Sequence, residues 1–213
     1  MGQVKRIRRY RAPVRQAQAA RTRAAVFDAA EQLFFGRGYA GTTVASVAAE
    51  AGVSPETIYK SFGGKSGVVR ALHARSLAGR GPVAAYERSD EAQRMATDPR
   101  VLVRQWGSLV AEVAPLVAPV LLLVRLAAAA DPEMAALQED IDTERLTRMR
   151  HNAATLAEHG WLRPGVYADR AAEVLWTCTA PDLYEALVLR RGWSPEQYGT
   201  FIADTLGATL LPP

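Results

Sequence analysis

Residues 44–62 read VASVAAEAGVSPETIYKSF, and this stretch decides the fold. Val44, Val47, Ala48 and Ala51 recur at spacings of three and four, so they share one helical face, and the small Ala side chains let a second helix approach closely. Gly52 offers the left-handed backbone that commonly ends a helix. Ser54 is placed to cap the next helix, and Pro55 falls at its first position, where a missing N–H is harmless. On that second helix Ile58 and Phe62, four apart, point back to the first, while Glu56, Thr57, Tyr59 and Lys60 face away. A short helix with an apolar inner face and a polar outer face, pinned across a scaffold helix, is the helix-turn-helix arrangement that enters the DNA major groove.

The flanks extend this unit. Upstream, a helix from about Gln18 to Arg37 carries the inner stripe Val26, Ala30, Leu33 and Phe34, and Gly38 ends it. Tyr39 to Thr43 form a turn in which Thr42 or Thr43 caps the following helix; a Thr there can also bond a DNA phosphate, and two neighbouring Thr residues can divide the tasks. Downstream, Gly63 and Gly64 make a break and Lys65 opens a helix running to about Ala78.

The run AAEQLFFGRGYAGTTVASVAAEAGVSPETIYKSFGGKSGVV, ending at Val69, resembles the DNA-binding domain of the tetracycline-repressor (TetR) family. Its anchors are a Leu-Phe helix, a Gly-Tyr turn, a Thr pair, the Ala-Gly-Val-Ser corner, a Tyr and a Phe three apart, and a Lys opening a long helix. The resemblance implies that Lys65 contacts phosphate, which agrees with an ammonium group lying at the positive end of a helix. It also implies a ligand pocket inside the C-terminal helices, and a dimer in which the last two helices pack against their copies.

Charge divides the chain in the same place. Residues 1–80 hold fourteen Lys and Arg against four Asp and Glu, whereas the remainder holds twelve against eighteen, so the formal net charge of +4 hides two halves of opposite sign. A basic half carrying a helix-turn-helix points to DNA. Residues 1–23 alone hold eight basic residues and no acidic one, with Pro13 expected to interrupt an early helix. They read as a mobile, phosphate-seeking arm. The single Cys178 allows no intramolecular disulfide and fits a reducing cytoplasm. The basic N-terminus lacks a following apolar segment, so no signal peptide is expected. The longest apolar run, Val113 to Val124, is twelve residues interrupted by Pro115 and Pro119 and reads as a core segment, too short for a bilayer.

The expected organisation is an arm over 1–23, a helix-turn-helix domain over 24–80 and a helical ligand-binding and dimerisation domain over 81–213. In the last, Asp98 and Pro99 start one helix, which Pro115 and Pro119 are expected to break, and Asp131 and Pro132 start another that Gly160 closes. Tyr167 to Arg191, kinked at Pro181, and Pro195 to Leu211 form two apolar-rich helices. Leu175, Leu183, Leu187, Phe201, Ile202 and Leu206 on them are the expected dimer surface, the alternative being an internal core. Trp106, Leu122, Met134, Met149 and Trp161 are candidate pocket residues, equally readable as plain core.

For DNA the candidate residues are Thr42, Thr43, Ser54, Pro55, Glu56, Thr57, Tyr59, Lys60 and Lys65. Tyr59 and Lys65 are expected to position the protein through phosphate, and Thr57 and Lys60 to reach base edges. Glu56 either accepts from a cytosine amino group or simply favours the helix N-terminus by its charge. Enzyme signatures are weak: His73, His151 and His159 are scattered, and Glu139, Asp140, Asp142 and Glu144 read as a solvated face with local ion pairs. No cofactor or metal is expected. The reading is an all-α, homodimeric, cytoplasmic transcriptional repressor of a near-palindromic operator, released by a small-molecule effector and not an enzyme. The alternative is a helical-bundle binding protein or enzyme that keeps the helix-turn-helix only structurally.

Overall fold

A computed structural model describes residues 3–81 and 83–213, with the side chains of residues 3–15 left undescribed. Among the described residues every regular element is helical. The chain forms two compact units, residues 1–72 and 73–213. They divide within the helix that starts at Lys65, ahead of the Leu77 to Pro82 interruption.

In the first unit, α1 spans Gln3–Arg37, α2 Val44–Glu50 and α3 Pro55–Phe62, and α4 (Lys65–Ala78) begins there. α1 starts well before Gln18, because the intervening Arg, Gln and Ala are good helix formers. The basic side chains expected to reach phosphate from residues 1–15 lie outside the described residues. Val26, Ala30, Leu33 and Phe34 are buried as one stripe, and Val47, Ala48, Ile58, Val68 and Leu72 of the same unit are buried with them. Phe62 turns to α1 rather than α2: its ring meets Phe27 edge-on at 5.8 Å, and the Arg23 guanidinium lies 4.8 Å from its centroid.

The corner between α2 and α3 closes by local bonds. Gly52, at φ 66°, donates to Ala49 O at 3.2 Å and Val53 donates to Ala48 O at 2.9 Å, the paired bonds that satisfy a helix's last carbonyls. Ser54 Oγ then accepts from Thr57 N at 3.3 Å.

The second unit holds α5 (Ala85–Met95), α6 (Pro99–Ala128), α7 (Pro132–Glu158), α8 (Ala168–Cys178), α9 (Pro181–Tyr184), which runs into a π-helical turn over Glu185–Arg190, and α10 (Pro195–Leu210). Here α6 corrects an expectation, since Pro115 and Pro119 lie inside one continuous 30-residue helix. Each Pro removes one backbone bond, but α5, α7, α9 and α10 all pack on α6 and hold it. Being continuous, α6 is long and apolar enough to cross a membrane by length and composition, with a window hydropathy of 2.1. Leu102, Val103, Val120 and Val124 on it are buried, Val113, Val117 and Leu121 line a cavity, and Leu126 is exposed. α6 and α10 cross where Gly107 faces Gly199; a Cβ on Gly199 would stand 2.4 Å from Gly107 O.

The expected single helix kinked at Pro181 is instead two elements. α8 stops at Cys178, Thr179 turns its N–H to Leu175 O, and Pro181 occupies the first turn of α9. The π-helical turn is tied down by Arg125, which pairs with Asp182 and, at 2.9 Å, with Glu185. At the entry to α5, Glu112 accepts from Arg88 at 2.6 and 2.8 Å and from Arg80 N at 2.7 Å. The Arg88 hydrogen bonds, reinforced by its charge, pull the Glu112 carboxyl down to about 2.

Candidate functional site

The outer face of α3 is the first site. Ile58 is fully buried and fixes the helix's rotation, which leaves Pro55, Glu56, Tyr59 and Lys60 exposed, Tyr59 by 57%. Neither the Tyr59 hydroxyl nor the Lys60 ammonium has a partner among the described residues, so both are available to an incoming acceptor. Glu56 is held by Ser54 and by its own backbone N–H, which lower its carboxyl below the usual range. That geometry favours its reading as a helix-terminus charge. Thr57 is half-buried with Oγ1 3.2 Å from Ser54 Oγ, so its hydroxyl shares in the cap. The arrangement presents a phenol, an ammonium and a short polar ridge on a rigid helix, which suits phosphate and base-edge contacts.

Two expected contacts are placed otherwise. Thr42 is buried and donates to Leu33 O and Gly38 O, so it braces the α1–α2 turn and cannot reach phosphate. Its neighbour Thr43 remains exposed as the cap of α2, in a reciprocal box with Ser46 at 3.0 Å each way. Lys65 points inward: its ammonium donates to Tyr39 O and Thr42 O, both at 3.1 Å, and stands 3.7 Å from the Tyr39 ring centroid. Two of its three N–H bonds are thereby used to clamp the turn. Spacing shows that a Lys opens a helix but not that two carbonyls of the preceding turn lie within its reach.

The second site lies wholly within residues 73–213. A cavity of about 280 Å³ sits between α5, α6, α7, α8, α9 and α10, with His73 and Leu77 of α4 also in its wall. Trp106 and Met149 line it as expected, whereas Leu122, Met134 and Trp161 do not. On α6 the lining register runs through Val113, Val117 and Leu121, one position before Leu122. Met134 is fully buried in the packing at the start of α7, and Trp161 stacks on His159 at 4.3 Å. Cys178, Tyr184, Tyr198, Asn152 and Arg145 are lining residues that sequence reasoning missed. Burial pushes up the Cys178 thiol and both phenols. The same effect lowers Arg145, whose guanidinium stacks 4.2 Å over Trp176.

The expected dimer residues divide. Leu175, Ile202 and Leu206 are buried and face the cavity, so they belong to the protomer's own interior. Leu183, Leu187 and Phe201 remain half-exposed, with Trp193 edge-on to Phe201 at 5.7 Å. Apolar periodicity marks a buried face without saying which body buries it. Among the described residues no group of three or more His, Cys, Asp or Glu is placed to hold a metal ion.

A helix-turn-helix with an exposed polar face is the arrangement that places a helix in the DNA major groove, and a helical unit with an apolar cavity follows it in the chain. Residues 26–72 match the family model for bacterial regulatory proteins of the tetR family. Among curated proteins, the chain is 40% identical over 58 residues to the uncharacterized HTH-type transcriptional regulator YvkB of Bacillus subtilis, a match covering 27% of this chain and 31% of that protein. It is 46% identical over 55 residues to the HTH-type transcriptional regulator TtgR of Pseudomonas putida, covering 26% of each. These matches thus span about a quarter to a third of the relatives' length.

In fold, the likeness runs through about nine-tenths of the chain. The SmeT–triclosan complex superposes with a TM-score of 0.67 at 21% identity over 90% of this chain and 92% of that one. NalD, the secondary repressor of the MexAB-OprM multidrug efflux pump in Pseudomonas aeruginosa, does so with 0.68 at 19% identity over 89% and 97%. The tetR-family match is carried by residues 26–72, and the rest of the chain shares the fold of these structures.

Proposed function

We propose that this protein is a cytoplasmic, homodimeric repressor that binds a near-palindromic operator through α3 and releases it when a small molecule enters the cavity of the second unit. The observation that carries the reading is the outer face of α3, where Tyr59 and Lys60 project unpartnered from a helix fixed by buried Ile58. One recognition helix reads too few base pairs for specificity, so two copies reading two half-sites follow from the task. Leu183, Leu187 and Phe201 are the residues we assign to the contact between copies. The effector acts by binding one conformation better than another, and α4 is the element that carries the bias. It starts at Lys65 beside the helix-turn-helix, and its His73 and Leu77 belong to the cavity wall. Support also comes from the fold neighbours, one a repressor and one in complex with triclosan.

The test is selection of bound duplexes from a random library at several salt concentrations, with Lys60→Ala alongside. Enrichment of a two-fold symmetric site is expected, with affinity falling as salt rises because phosphate neutralisation releases counterions. Absence of salt-dependent DNA binding at any concentration would sink the reading in favour of a binding protein or enzyme.

A further inference from the structure

α5 joins the cavity wall without burying a large apolar side chain. Its buried residues are Ala85, Ser89 and Gln93, one per turn, whereas α6, α7, α8 and α10 each bury at least one Leu. What holds α5 is polar. On the α6 side, Arg88 donates to Glu112 at 2.6 and 2.8 Å, and Glu112 also accepts from Arg80 N. On the α7 side, Arg148 Nη1 lies 2.7 Å from Asp90 Oδ1, and Arg148 Nη2 donates to Tyr86 O at 3.3 Å. His151 Nε2 stands 3.4 Å from the same Asp90 oxygen, and neither group meets it in hydrogen-bond geometry, so that tie is one of charge. Gln93, which accepts from Thr155 at 2.7 Å, donates to Asn152 Oδ1 at 3.2 Å. Helix against helix, α5 packs on α6, and it reaches α7 through these side chains.

The exposed residues of the cavity lining fall along this second seam. Leu77 is 40% exposed and Tyr86 53%, and Glu144 is exposed one turn before Arg148, while every other lining residue is buried or half-buried. The mouth of the cavity therefore lies between α4, α5 and α7. The chain approaches α5 through Gly79 at φ 74°, Ala84 at the helix start provides no side-chain cap, and Ala96 after its end is extended. Opening the seam between α5 and α7 exposes little apolar surface, exchanges hydrogen bonds for bonds to water, and separates a partly exposed ion pair that contributes little. Parting α7 from α8, or α6 from α10, would instead expose buried Leu and Ile side chains. The α5–α7 seam is the weakest in the wall.

We infer that α5 is a strap: it detaches from α7 as a unit, stays anchored to α6 through Arg88 and Glu112, and so opens the route by which a ligand reaches the cavity. Its use as a route rests on the cavity being the effector site of the proposed regulator.

The experiment pairs hydrogen exchange with stopped-flow binding of N-phenyl-1-naphthylamine, an uncharged fluorescent probe, on the full-length protein and its Asp90→Asn variant. Asp90 is not a lining residue, so the substitution loosens the seam without touching the probe. The α5 amides are expected to exchange together, at least tenfold faster than the buried amides of α6 and α7. Asp90→Asn should speed α5 exchange about threefold. It should raise the association and dissociation rates of the probe by the same factor and leave affinity unchanged, because a route serves both directions alike. Added salt should act on the parent protein in the same sense, by screening the Asp90–Arg148 pair. Glu173→Gln, which removes an exposed pair with Arg170 on α8, should change none of these readings. α5 amides as protected as those of α6 and α7, probe rates unmoved by Asp90→Asn while α5 exchange rises, or a changed affinity at an unchanged association rate would each overturn the inference. Fast α5 exchange with no probe binding at any concentration would uphold the strap and overturn the effector reading. Protected α5 amides in a protein that binds the probe and releases DNA would do the reverse.

Discussion

The α2–α3 corner and the α6–α10 crossing are both places where two helices meet closely, and they are held by different means. At the corner, four consecutive residues supply a left-handed Gly, a capping Ser and a Pro already suited to a helix start. Each acts on its own backbone, so the geometry is dictated within a few residues. At the crossing, Gly107 and Gly199 are ninety-two positions apart and each is useful only because the other is opposite. Local chemistry builds the part that faces DNA, and long-range fit builds the part that encloses the cavity. A change of one methyl group can therefore be used to probe either region.

The largest effect is expected inside the first unit, at Gly67. A Cβ there would stand 1.6 Å from Phe62 O, so Gly67→Ala cannot be accommodated without moving the start of α4 off the end of α3. Loss of the folded first unit is expected, on the order of 4 kcal/mol or more. Hydrogen exchange would show the amides of α2 and α3 losing protection while those of α6 and α10 keep theirs. Equal loss in both units would break the comparison, because the two would then fold as one.

Next comes Gly199→Ala, whose Cβ would meet Gly107 O at 2.4 Å and Ala111 Cβ at 2.8 Å. α10 must back away from α6, at a cost of about 1–3 kcal/mol for an overpacked contact. The expected readout is a lower melting temperature for the second unit, with operator binding retained below that temperature. A smaller effect is expected at Gly52, where φ is 66° and an added Cβ meets nothing within 4 Å. Gly52→Ala therefore carries only the conformational penalty of about 1–2 kcal/mol, measurable by chemical denaturation. A loss as large as at Gly67 would mean that the corner depends on contacts and not on backbone alone.

The same contrast explains what can be read from residues. The caps at Ser54, Asp98, Asp131 and Ser194 announce helix starts that the structure contains, because a cap acts on the next three residues. The face of α3 is legible for the same reason, since Ile58 alone sets which side is out. Lys65 and Thr42 mislead a reader of the sequence because their partners, the carbonyls of Leu33 near the end of α1 and of Gly38, Tyr39 and Thr42 in the turn after it, are brought together by a path the spacing does not give. The cavity wall is only partly legible. Leu121 lines it and Leu122 does not, a choice made by the rotation of α6 among the helices packed on it, which spacing along α6 does not give. Leu175, Ile202 and Leu206 resemble an interface on periodicity alone, which does not reveal that α8 breaks at Thr179 and leaves its apolar face turned inward.

Acid sharpens the comparison from another side. Glu112 has its carboxyl lowered to about 2 by the Arg88 hydrogen bonds, well below its unfolded value. A depressed carboxyl contributes stability that is present above the unfolded pKa and lost as pH falls through the folded one. Between roughly pH 4.3, an ordinary Glu value, and pH 2 the second unit should lose this contribution, and Glu112→Gln should flatten that part of its stability curve. Urea melts followed separately in each unit from pH 5 to pH 2 test this. An unchanged acid slope in the variant would remove Glu112 as the anchor of the α5 entry.

The smallest expected change in stability is at Lys60, and it separates folding from function. Its ammonium touches nothing within the described chain, so Lys60→Ala should alter unfolding free energy by no more than about 0.5 kcal/mol. Operator affinity should nevertheless fall. If Lys60 meets a phosphate, the loss is spread over all sequences and the slope of log affinity against log salt drops by about one. If it meets a base edge, the salt slope stays closer to its original value and preference at one position of each half-site relaxes. Repeating the duplex selection with the variant distinguishes the two. A variant that is destabilised instead would place Lys60 among the residues that hold the corner together, and the division between a locally built DNA face and a long-range cavity would have to be redrawn at that residue.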